Sequence, residues 1–281
     1  MASVLYVLLS ELIVLPLLIG AQEHPRNVEA SRDQQDELEA FLHMSALEVG
    51  HRYFERPPYR LFAIRRLIEL GDSAAVPVLQ RAFADETEVR RRRFIAAALV
   101  SLGDPTPEYF KYLAEGARQA IKSDLPFPFP LNGGDNSKSE RLYRPEFEQL
   151  VHQRGLDVAA ELQRSAFELP GAVEALGEAG DPRSFSILVQ GLDSPNIMIV
   201  RASAFGLARL HDNSGIQPII EACSLLPLEQ RRMIAKSLLY FDSRTAQDRA
   251  RTMIADQKLY ERWQGEVRRR GWKRAMRDTS D

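Results

Sequence analysis

Five aspartates form the one regular pattern of chemistry-bearing residues in this chain. Asp72, Asp104, Asp181, Asp212 and Asp242 end the segments IELGD, VSLGD, GEAGD, ARLHD and LYFD. A column of carboxylates can hold a divalent cation through hard oxygen ligands. Alternatively, each aspartate can cap a helix by accepting hydrogen bonds from backbone N–H groups that have no partner in the first turn. The neighbours favour capping. Pro105 and Pro182 follow two of the aspartates, at the first helical position, where a missing N–H costs nothing. Gly71, Gly103 and Gly180 precede three of them, where a helix can end in a left-handed residue. Asp72, Asp104, Asp181, Asp212 and Asp242 are therefore expected as structural caps.

The remaining reactive residues form no set. His24, His43, His51, His152 and His211 make no H-E-x-x-H, and none is followed by glutamate. Glu39 and His43, one helical turn apart, read as a surface pair. Cys223 is the single cysteine, which excludes an intramolecular disulfide and any multi-cysteine metal site. It falls on an apolar helix face between Ile219-Ile220 and Leu225-Leu226, so it reads as a buried thiol rather than a nucleophile. There is no G-x-S-x-G, P-loop or G-x-G-x-x-G. No catalytic residue, cofactor or metal is expected.

The elements that carry the aspartates repeat. Their spacings are 32, 77, 31 and 30 residues, and such a period marks a solenoid of stacked units. Eight positions before the aspartate stand Ile64, Ala96, Val173, Ala204 and Ile234. Five before it stand Leu67, Leu99, Leu176 and Leu207, with Ser237 the exception. These positions share one face of a helix. Further apolar pairs follow the aspartate, such as Val76 and Leu79, or Phe185 and Leu188. Each unit thus reads as helix, tight turn, helix. The spacing of 77 contains an insertion and an irregular repeat. Eleven positions before the aspartate stand Arg93, Arg201 and Arg231, placed to bridge neighbouring repeats through the capping carboxylates.

Segments 171–192 (GAVEALGEAGDPRSFSILVQGL) and 200–222 (VRASAFGLARLHDNSGIQPIIEA) resemble the short HEAT-like repeats of the phycobilin-lyase type. Their shared pattern is V-R, then A-x-x-A-L-x-x-L-G-D-P, then apolar residues on a second helix. The chain is also similar to exported bacterial HEAT-repeat proteins. The resemblance implies an all-α, armadillo-like solenoid. For function it implies a binding or scaffolding role or, alternatively, a bilin-lyase-like enzyme handling a chromophore or other small molecule.

Around the repeats the chain divides as follows. Residues 1–21 contain an apolar run, Leu12 to Ala21, too short to span a bilayer and suited to a signal peptide that is removed. Glu11 and the lack of a preceding Lys or Arg oppose that reading, and a misassigned start would leave the protein cytoplasmic. Residues 22–58 read as a linker and an N-terminal capping helix, and 59–121 as repeats. Residues 122–146 form a loop that its prolines bar from continuous helix. Residues 147–256 hold an irregular repeat and further repeats, and 257–281 a basic C-terminal capping helix.

Three groups are candidates for meeting a partner. Phe127, Phe129 and Tyr143 sit in the 122–146 loop, where they either pin it to the solenoid or contact another molecule. Arg90, Arg91 and Arg92 open a helix. Arg269 and Lys273 belong to a C-terminal stretch, 258–277, with eight Lys or Arg against two Glu. Net charge is −2 over 281 residues, with 44% hydrophobic and 27% charged, so the chain is neither disordered nor a polycation built for nucleic acid. The expected function is a non-catalytic protein-binding module, exported, with no transmembrane span in the mature chain. Nucleic acid is out of reach after export, and transient contact with an anionic surface is open to the basic patches.

Overall fold

The computed structural model describes Ile64, Leu67, Ile68, Gly71 and residues 73–129 and 144–270. The expected leader (1–21), the N-terminal capping helix, Asp72, Tyr143 and Lys273 lie outside the described residues. The described chain is helical, with no strand among the described residues. The helices are α1 (Val76–Asp85), α2 (Val89–Ser101), α3 (Pro107–Ile121), α4 (Pro145–Gln153), α5 (Val158–Gln163) and α6 (Leu169–Glu178). They continue with α7 (Phe185–Gly191), α8 (Ile197–Arg209), α9 (Ile216–Ser224), α10 (Leu228–Ala235), α11 (Arg244–Ile254) and α12 (Gln257–Arg270).

The repeat columns explain the helices. Ile64, Ala96, Val173, Ala204 and Ile234 are all fully buried, as are Leu67, Leu99, Leu176, Leu207 and Ser237. Two positions three residues apart thus supply one continuous apolar seam from unit to unit. The first helix ends on a left-handed residue: Gly71, Gly103 and Gly180 have φ of 64°, 81° and 61°. His211 takes the same conformation at φ 53° in the unit that lacks the glycine. Short 3-10 turns, Pro182–Ser184 and Asn213–Gly215, then lead into α7 and α9.

First helices stack in one layer. α6 lies against α2, α8 against α6, and α10 against α8, while α3 touches α7 in the second layer. The stretch read as an irregular repeat, 147–168, spans α4, α5 and a π turn, and α6 beyond it packs directly on both α2 and α3. Helices α4 and α5 lead into α6 through a π turn, Arg164–Glu168, and Phe147 and Val151 of α4 are buried in the common core. Pro170 has no N–H to bond its preceding turn, which accounts for the widened ladder there.

The tightest packing is between α6 and α8. A Cβ built on Gly177 would stand 2.7 Å from the Gly206 Cα, and one on Gly206 would stand 3.0 Å from the Gly177 Cα. Only two glycines allow this approach. One residue on, Glu178 pairs with Arg209 across the same helices at 2.6 Å, with both side chains mostly buried. At the C-terminal end, Lys236 is 8% exposed, bonds Glu266 at 3.0 Å and lies 5.0 Å from the Trp263 ring, which docks α12. Leu259, Trp263 and Val267 pack against the core from that helix.

Gly177→Ala and Gly206→Ala should each cost about 1–3 kcal/mol, because backbone rather than a flexible side chain must move. Ala255→Gly should instead raise stability by about 0.5–1 kcal/mol, since Ala255 ends α11 in the left-handed region at φ 51°. Urea unfolding followed by circular dichroism measures both.

Candidate functional site

A helix-pair solenoid has two edges. One holds the turns inside each unit, where the aspartates sit. The other holds the corners where one unit hands over to the next: 86–88, 122–168, 192–196, 225–227 and 255–256.

On the first edge the carboxylates bond backbone. Asp181 accepts from Arg183 N at 2.8 Å and holds the Arg183 guanidinium at 2.6 Å. That hydrogen bond keeps its carboxyl below the usual range, against the opposing effect of burial. Asp212 accepts from Ser214 N at 2.9 Å, which likewise lowers its pKa. Asp104 sits three residues ahead of α3, whose N-cap is Thr106, and accepts from Thr106 N at 2.9 Å and from Gln80 Nε2 at 2.7 Å. Burial raises its pKa, but the Thr106 and Gln80 bonds outweigh it. Asp242 is exposed, and the cap of α11 falls to Ser243, whose Oγ accepts from Ala246 N. The expected arginine ladder is not made through these carboxylates. Arg93 donates to the Glu168 carbonyl and Arg231 to the Leu226 carbonyl, and Arg201 lies over Phe205. One ion pair that does join neighbouring units is Glu178–Arg209.

The second edge gathers most of the described candidates. Glu88 caps α2 by accepting from Arg90 N and Arg91 N, both at 2.8 Å. Glu86 takes Arg91 Nε at 2.9 Å, so Arg91 is committed to its own corner. Arg92 lies over the Phe83 ring at 4.5 Å and near Tyr112 at 5.8 Å. Arg90 lies on Gly171 of α6, and Arg93 on Gly116 of α3.

Beside them is the insertion. Phe127 packs on the core and meets Phe129 edge-on at 5.6 Å, so Phe127 anchors the loop. A buried polar chain holds the segment down. Ser165 Oγ donates to the Pro126 carbonyl at 2.6 Å, and Asn196 Nδ2 donates to Ser165 O at 2.9 Å. Asn196 Oδ1 accepts from Met198 N at 3.0 Å. Arg144 N donates to the Pro128 carbonyl at 2.7 Å, which fixes the two chain ends next to each other. A shallow groove of about 390 Å³ runs between α4 and Pro195, lined by Asp124, Glu146, Gln149, Leu150 and Gln153.

The next corner carries a feature that the sequence reading missed. Leu225 is 87% exposed and Leu228 43%. The run Leu225-Leu226-Pro227-Leu228 reads as a continuation of the buried face at Cys223, but only Leu226 turns inward. The signal was Pro227, which disfavours helix in the residue before it, so the helix ends at Ser224 and Leu225 does not continue its buried face. Cys223 itself is fully buried, and burial pushes its thiol up to about 12, so it is inert at neutral pH. Among the described residues no three His, Cys, Asp or Glu converge on a metal position. Arg269 falls in the last turn of α12.

Segments 59–85 and 171–194 match the family model of the PBS lyase HEAT-like repeat. The second match spans α6, its Gly180-Asp181 turn and α7. No curated protein matches the chain. The fold is an all-α solenoid with HEAT-like repeats.

Asp181→Ala should cost about 1 kcal/mol at pH 7 through the lost cap. Because the folded pKa of Asp181 is depressed, this contribution is present above the unfolded value of about 3.9 and is lost as pH falls through the folded value. Urea unfolding of wild type and variant at pH 7 and near pH 2 checks this: the difference should shrink at low pH. Asp242→Ala should change stability far less than Ser243→Ala.

Proposed function

We propose that this solenoid is a non-catalytic binding module whose protein partner docks along the edge of inter-unit corners. The observation that carries the reading is the exposure of Leu225 and Leu228 on the edge that also bears the insertion and the Arg90–Arg93 cluster. Exposed apolar side chains serve as interface anchors, and arginine and aromatic groups, which are enriched at interfaces, stand at other corners of the same edge. Inserted loops supply discrimination that stacking helices, whose sequence is dictated by packing, cannot. Nothing in the arrangement of side chains favours the enzymatic alternative over this one.

The test uses the wild-type protein crosslinked to its partner in native extract and compared with two variants. Leu225→Asp combined with Leu228→Asp should lower recovery of that partner by about tenfold or more while leaving cooperative melting in place, since both side chains are exposed. Asn213→Lys, on the opposite edge, should leave recovery unchanged. The reverse pattern refutes the edge assignment.

Export is proposed with it, on the apolar run Leu12 to Ala21. Among the described residues no helix is long and apolar enough to cross a membrane. Mass spectrometry of the native protein should find a new N-terminus close to Ala21. Intact Met1 in a cytosolic fraction would sink the idea.

A further inference from the structure

The first turn of α2 carries four consecutive arginines, and three of them have no counter-charge among the described residues. Arg91 is paired with Glu86. Arg90, Arg92 and Arg93 meet no carboxylate among the described residues, and the Nε of each is buried without a hydrogen-bond acceptor. The carboxylates that could have neutralised them are engaged elsewhere. Glu88 is spent on the helix cap, Glu168 bonds Gln163 at 3.3 Å, and Glu115 bonds Gln119 at 3.0 Å. Half-buried guanidinium groups without counter-ions are costly to the isolated protein, and an incoming anion relieves that cost. They also stand at the positive end of the helix dipole, which raises the local potential further.

The groups are held rather than loose. A Cβ on Gly116 would lie 3.0–3.3 Å from the guanidinium atoms of Arg93, so the absence of a side chain there lets the group lie flat on α3. Gly171 makes the same room for Arg90 on α6, and Phe83 supports Arg92. Such prepositioning lowers the side-chain entropy lost on binding.

Their directions decide the ligand class. Arg90 points to α6, Arg93 to α3 and the Glu168 carbonyl, and Arg92 to the aromatic pair on α1 and α3. The charges fan out around one helical turn instead of converging on a point. A single phosphate needs convergent donors, whereas carboxylates spaced along a chain match a fan. We propose that Arg90, Arg92 and Arg93 dock an acidic, extended segment of a partner polypeptide. This rests on the reading of the corner edge as a protein-binding surface and adds the chemistry of what binds there.

The experiment measures fluorescence anisotropy of labelled octaglutamate with the full-length protein, at low and at raised salt. The expected result is binding that weakens with salt. It should fall by about tenfold or more in the combined Arg90→Gln, Arg92→Gln and Arg93→Gln variant. Removing Arg244 and Arg249, exposed on α11, should change it less than about twofold. The triple variant can lose packing, so wild-type protein is also treated with phenylglyoxal and mapped by mass spectrometry. Octaglutamate should protect Arg90, Arg92 and Arg93, and a Gly-Ser peptide should not. The proposal is overturned if octaglutamate neither binds nor protects, or if inorganic phosphate protects these arginines and octaglutamate does not. The probe replaces the native partner, so this result is independent of the partner-recovery test on Leu225 and Leu228.

Discussion

The approach of α6 to α8 through Gly177 and Gly206 is the constraint on which the stack turns. Backbones in this contact come nearer than any side chain allows. Dispersion and the lateral Glu178–Arg209 pair then act at short range in a mostly buried setting. The position of α6 follows from it, and α6 is the helix on which α2, α3 and the end of the insertion all rest. A wider crossing would move the landing site of Arg90 and the carbonyl that Arg93 bonds. It would also shift the Asn196–Ser165 contact that ties the insertion to the start of α8. The glycines therefore reach the candidate binding edge through backbone geometry and not through any contact of their own.

The two edges divide the labour of the fold. Turns at Asp104, Asp181 and Asp212 are closed by left-handed residues and aspartate bonds to backbone, which engage these carboxylates and leave them little chemistry. Corners between units carry no such repeating demand, so they hold what differs: an insertion, exposed leucines and a cluster of arginines of which three meet no carboxylate among the described residues. Buried polar bonds from Ser165 and Asn196 hold the start of the insertion at Pro126. Leaving any of them unmade would strand a desolvated polar group.

The repeat columns were legible because burial in a solenoid is periodic: the residues eight and five before each aspartate are dictated by the seam. Capping at Asp181 and Asp212 was equally readable, since aspartate after a helix end has one common use. Asp242 differs because Phe241 is extended where the other units have a left-handed residue, which moves the cap one residue on to Ser243. The insertion was visible as a broken spacing. Apolar residues in α4 and α5 show helical period whether they join the stack or pack on each other. The exposure of Leu225 was hidden because leucines beside a buried cysteine look like core. That Arg90, Arg92 and Arg93 meet no carboxylate among the described residues depends on where distant glutamates point, which no local pattern records.

The most direct measurement is a nuclear Overhauser contact between the α-protons of Gly177 and Gly206, in protein labelled at glycine. The account requires a strong cross-peak, since no side chain separates the two α-carbons. A folded protein with dispersed glycine signals and no such cross-peak would contradict it, and with it the packing that carries α6, the insertion and the arginine cluster.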